Sequence, residues 1–162
     1  MKHLRSGWLL AATVVFGFLA PPSASAQKTT LPAEVLKPSA DLSVAKRQLQ
    51  MAAELGRRVV QGLQAAPVDA ASPLDNTLLQ AASNTYALIR AARESMDART
   101  IYMKYPDPAF DLAHKRVLDA WNLARTPVDM EKNVDRPRYL ATSIRDLNRA
   151  LQLVDQALII IP

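Results

Sequence analysis

The chain has no cysteine, and that absence excludes disulfides, zinc–thiolate sites, iron–sulfur clusters and covalently attached c-type haem. It has two histidines, His3 and His114, so a histidine-rich metal site is excluded as well. The paired Glu-x-x-His motifs of di-iron bundles are missing. Glycine occurs four times in 162 residues, and only Gly56 and Gly62 follow residue 26. Sustained apolar/polar alternation is lacking, as are Asn-Gly and Asp-Gly turns, so there is no strand signal. Catalytic fingerprints are missing too: no G-x-S-x-G, no G-x-x-x-x-G-K-[ST], no H-E-x-x-H and no EF-hand loop.

The N-terminus carries the clearest signal. Residues 1–7 contain Lys2 and Arg5 and no acid, and residues 8–20 are apolar apart from Thr13. Pro21 and Pro22 follow, then Ala24-Ser25-Ala26. A basic start, a short apolar core and an A-x-A site predict a secretory signal peptide over 1–26, cleaved after Ala26. The run is too short for a bilayer span, which takes about 20 residues. No cysteine follows it for lipidation and no Arg-Arg pair precedes it, so ordinary export to the periplasm or the medium is expected. Loss of Lys2 and Arg5 from the 20 basic residues leaves a net charge of +3 against 15 acids. Export makes nucleic acid an unsuitable partner, while an anionic membrane surface stays open for peripheral contact.

Abundant Ala, Leu, Arg and Gln favour helix by intrinsic propensity. Over 139–161, apolar residues recur at spacings of four and three: Leu140, Ile144, Leu147, Leu151, Val154, Leu158 and Ile161. The opposite face reads Arg138, Thr142, Arg145, Arg149, Gln152 and Gln156. This helix, roughly 35 Å long, needs partners for its dry seam. Upstream, a helix from Asp41 or Ser39 carries the seam Leu42, Ala45, Leu49, Ala52, Gly56, Val59 and Leu63, rich in small residues. Ser72-Pro73-Leu74-Asp75 resembles a capping box opening a second helix that runs to Tyr105, before Pro106. Asp107 and Pro108 open a third, with Phe110, Ala113, Val117, Ala120, Trp121 and Ala124 on one side, ending near Thr126. Pro137 opens the fourth.

The expected fold is therefore all-α: an antiparallel up-down-up-down four-helix bundle over 39–162, after the signal peptide and a flexible arm, 27–38. Polar residues interrupt three dry stripes: Gln48, Arg93 (with Tyr86 one heptad earlier) and His114. Counting 1.5 Å per residue puts Gln48, Arg93, His114 and Asp155 about 8–16 Å above the 105–108 turn. They form a candidate polar layer that could fix helix register or hold an anionic ligand group. Long side chains at a stripe edge can instead reach solvent, and Asp97 offers Arg93 a partner on its own helix. Leu112, Leu123, Leu153 and Ile160 lie outside the main seams and are a candidate patch for association.

The functional expectation is an exported, non-enzymatic bundle that binds a partner protein, itself or a small ligand, with no cofactor. The alternative is a cofactor-carrying bundle, a b-type haem protein using His114 with Met51, Met96 or Met103. An unrecognised hydrolase or transferase is a third class.

Overall fold

The computed structural model describes residues 31–67, 75–129 and 136–162. The expected signal peptide lies outside the described residues, as do Ser72, Pro73 and Leu74. The described residues form four α-helices and no strand: α1 (Leu42–Ala65), α2 (Asn76–Thr100), α3 (Pro108–Ala124) and α4 (Arg136–Ile160). A 3-10 turn, Ala33–Leu36, precedes them. Among the described residues no helix is long and apolar enough to cross a membrane.

The helix starts follow from side-chain capping, since the first amides of a helix have no partner within it. Asp41 accepts from the Ser43 amide at 2.9 Å. Asp107 accepts from Ala109 and Phe110, with Pro108 in the first position, as the sequence predicts. At α2 the outcome differs: Asp75 is itself the cap, accepting from the Thr77 amide at 2.8 Å, and the helix begins one residue later. The Ser43 amide bond holds the Asp41 carboxyl below its ordinary value, and the Thr77 hydroxyl and amide do the same for Asp75. Lowered carboxyl values favour the folded chain above the ordinary carboxylate range, and this support is lost as pH falls through the lowered values.

The end of α2 also departs from expectation. The helix stops at Thr100 rather than Tyr105. The Thr100 hydroxyl donates back to Asp97 O at 2.6 Å, and the chain tightens into three-residue bonds, Tyr102 to Arg99 and Met103 to Thr100. Ile101 and Tyr102 are exposed, so no burial favours another helical turn there. Similarly α3 ends at Ala124, two residues early, where turns run on to a fully buried Pro127.

Each helix packs against two others: α1 on α2 and α4, and α3 on α2 and α4. Gln48 of α1 meets Ser95 of α2, and Gly62 lies against Leu78. Lys46 of α1 reaches Ile161 O beyond α4, and Arg57 reaches Asp155. Between α3 and α4, Arg116 bonds Gln156 O and Thr126 bonds Asp146. The α1 seam is buried as expected except for half-buried Leu42. The α4 seam is buried at Leu140, Leu147, Leu151, Val154 and Ile161, and half-buried at Ile144 and Leu158.

α4 also buries Ala150, Leu153 and Ala157. A helix with two neighbours must be dry over a wider arc than a single seam supplies. For that reason the candidate association patch does not exist as one surface. Leu153 is buried, Leu123 and Ile160 pack on the core, and Leu112 alone of the four is exposed.

Small residues let α1 approach its neighbours. A Cβ added at Gly56 would fall 2.7 Å from Leu151 Cδ2 and 3.1 Å from Thr85 Cγ2, both in the buried core. At Gly62 the clash is with Leu78, a half-buried side chain with room to swing. Alanine favours a helix over glycine by about 1 kcal/mol, while overpacking a tight core costs about 1–3 kcal/mol. Gly56→Ala is expected to destabilise by about 1 kcal/mol, and Gly62→Ala to be neutral or stabilising. Urea unfolding midpoints of the two variants check this; equal stabilisation by both would contradict the close approach at Gly56.

Candidate functional site

The four helices bring two separate polar groups together, and α2 contributes to both. The first lies between α2 and α3. Asp97 accepts from Arg93 Nε at 3.1 Å with one oxygen, and its other oxygen lies 2.8 Å from His114 Nε2. The Arg93 guanidinium carbon lies 4.6 Å from the centre of the Trp121 ring. Trp121 stacks on Tyr86 at 5.9 Å between centroids, with planes 26° apart. Phe110 flanks His114 at 6.0 Å. The Trp121 Nε1–H is shielded from solvent without a hydrogen-bond partner.

The spacing that builds this cluster is visible on both helices. On α2 the residues are 86, 93 and 97; on α3 they are 110, 114 and 121. Steps of four and seven keep side chains on one helical face, so both sets point into the same groove. Side-chain exposure is 25 % for Arg93, 45 % for Asp97 and 24 % for His114, so the cluster is reachable from water. Ion pairs this exposed contribute on the order of 0.2–1 kcal/mol each.

The second group ties down the arm. Gln48 is buried; its Nε2 donates to Val35 O at 2.9 Å and Lys37 O at 3.3 Å. Its Oε1 accepts from the Ser95 hydroxyl at 3.2 Å, and Ser95 in turn accepts from the Ser39 amide at 3.0 Å. Leu31, Val35 and Leu36 pack on the core beside these bonds. The described part of the arm is thus docked.

Arg93, His114 and Tyr86 are therefore brought together, and Gln48 and Asp155 are not part of their cluster. Ser95, which meets Gln48, and Asp97, which meets His114, are two residues apart, about 200° around a helix. The two polar contacts leave α2 by nearly opposite faces, so one continuous layer does not form. Asp155 is taken by Arg57, at 2.7 and 2.9 Å, with both side chains about half exposed. The sequence reading missed Trp121 as a site member by assigning it to the dry seam. Its place one heptad after His114, opposite Tyr86 and Arg93 one heptad apart, was the available signal.

Among the described residues, the His114 imidazole pairs with the Asp97 carboxylate. No group of three or more metal-ligating side chains occurs among them. Elsewhere an open groove of about 620 Å³ lies between α1 and α2, lined by Leu55, Val59, Gly62, Leu78 and Ala81. Its two charged residues are committed: Arg58 pairs with Glu54, and Asp75 caps α2. Compared with protein-family models, with curated proteins and with solved structures, the chain matches none.

The Gln48 bonds generate a prediction. Gln48→Ala leaves the Val35 and Lys37 carbonyls short of a partner, while Ser95 keeps its bond to Ala91 O, a loss of about 1–3 kcal/mol. Limited proteolysis should then cut within 31–39 far faster than in the wild type, while the helices stay resistant. An unchanged cleavage rate would show that Gln48 does not hold the arm.

Proposed function

We propose that the chain is an exported, non-enzymatic bundle, its four helices alternating up and down, that binds a partner protein through the α2–α3 face. Export rests on the basic start, short apolar run and Ala24-Ser25-Ala26 of the sequence, with the mature protein beginning at Gln27 and working in the periplasm or outside the cell. The alternating direction is supported by the paired positions: 48 with 95, 97 with 114, 126 with 146, and 46 with 161.

The observation that carries the binding reading is the stack of Arg93 on Trp121 on Tyr86. Trp, Tyr and Arg are the side chains most enriched among residues that dominate interface energies. Here Asp97 fixes the guanidinium and the two rings fix one another, so little side-chain freedom is left to lose on binding. Self-association or a small ligand would use the same face. The haem alternative has less support, because His114 Nε2 would have to leave Asp97, and Met96 is wholly buried in the core.

Photo-cross-linking in the exporting cell tests the reading. A cross-linker at Arg90 or Lys115, beside the cluster, is expected to trap one defined protein species. Arg93→Ala should weaken that complex by roughly tenfold or more, the scale of an interface anchor. Intact mass of the fractionated protein should give Gln27 as first residue. Cross-links from Gln152 and Gln156 on α4, with none from the α2–α3 face, would overturn the assignment.

A further inference from the structure

The largest exposed apolar side chains are not scattered. Among the described residues, Ile101, Tyr102 and Tyr105 are 79 %, 72 % and 73 % exposed and fall within five residues, at the turn between α2 and α3. Nothing in the fold requires them there: α2 has already ended, and polar residues would serve the turn as well. Ile159, 84 % exposed, joins them. Thr126 meets Asp146 and Arg116 meets Gln156, so with the alternating directions proposed above α4 carries Ile159 to the same end of the molecule.

The shape and charge of this tip choose its occupant. It is a convex turn at the end of two helices, so it suits a soft surface that it can enter. Residues 98–106 contain Arg99 and Lys104 and no acid. The flanking acids are engaged: Asp97 holds Arg93 and His114, and Asp107 caps α3. Asp111 lies one turn into α3, and Asp41, the nearest acid on α1, faces Arg99. Lys104 lies 5.7 Å from the centre of the Tyr105 ring, so the cation sits beside the aromatic surface. Tyrosine favours the level of lipid headgroups, isoleucine the acyl boundary below it, and lysine reaches back to phosphate. Without Lys2 and Arg5 the chain is still basic, at +3, and anionic leaflets attract basic segments.

We propose that the 101–105 turn is a membrane-docking tip that inserts Ile101, Tyr102 and Tyr105 into the interface of an anionic phospholipid bilayer, with Lys104 on lipid phosphate. The tip adjoins the α2–α3 face, so docking would hold the bundle at the bilayer surface and leave its sides free.

Flotation of the protein purified from the cell with phosphatidylglycerol/phosphatidylcholine vesicles tests this. The wild type is expected to float with them, less with phosphatidylcholine alone and less as salt rises. Ile101→Ser with Tyr102→Ser should lower partitioning at least tenfold, since each side chain loses roughly that factor when its burial is lost. Lys104→Glu should lower it several-fold. Thermal unfolding should be unchanged in these variants, because the side chains lie in water in the free protein. In Tyr102→Trp, the emission gained over wild type should be quenched by brominated lipid, which separates the tip from any binding by the N-terminal apolar run. Arg93→Ala should leave partitioning unchanged, so failure of the partner-binding reading is seen separately. Equal flotation of the wild type and the serine variant, or no quenching at position 102, would overturn the proposal.

Discussion

Helix α1 has to touch two helices at once, and most of the architecture follows from that requirement. Its seam is built from Ala45, Ala52 and Gly56, with Leu49, Val59 and Leu63 between them. Small residues bring α2 and α4 close enough for Leu151 and Thr85 to occupy the space a larger α1 residue would take. Close packing then gathers Leu49, Leu88, Ile89, Leu147 and Val154 into one dry core, and burial of that apolar surface is the main favourable term in folding. Two of the polar side chains that enter this part of the molecule are satisfied, Gln48 by the arm and Ser95, and Thr85 by Ala81 O, whereas the buried Ser143 hydroxyl has no partner among the described residues.

The opposite seam is built differently. Where α2 meets α3, the contacts include a carboxylate shared by an arginine and an imidazole and a stack of two rings. These groups are too exposed to contribute much stability. Their arrangement instead holds an aromatic and cationic surface in fixed geometry at the edge of water. Such a surface suits recognition, and it stands beside a turn whose apolar side chains Ile101, Tyr102 and Tyr105 are exposed. Stability is thus concentrated on the α1 side, and the groups free to meet something else lie toward α3.

The helices were legible because their signals are local. Asp41 before a seam, Asp107-Pro108 after a proline break, and the four-three spacing from Leu140 to Ile161 each act within a turn or two. The end of α2 was less legible, since Thr100 and Met103 extend the apolar period, while Ile101 and Tyr102 between them lie exposed. Leu153 was misread because a strict seam assumes one facing helix, and α4 has two. The candidate layer was half legible. Arg93, Tyr86 and His114 do converge, but height along the bundle was counted without the angle around it. Gln48 and Asp155 have suitable heights and face other partners. Trp121 was hidden by its own hydrophobicity, since a half-buried indole reads as core until the guanidinium over it is seen.

The central claim is that Asp97 couples α2 to α3 in a cluster that excludes Gln48. A double-mutant cycle on unfolding free energy tests it most directly, because it isolates pairwise coupling from the general effects of truncation. Asp97→Ala with His114→Ala should show a coupling of about 0.5–1 kcal/mol. Gln48→Ala with His114→Ala should be additive within about 0.3 kcal/mol. Additivity for the first pair together with coupling in the second would mean that the polar groups form a different layer, and the site described between α2 and α3 would not stand.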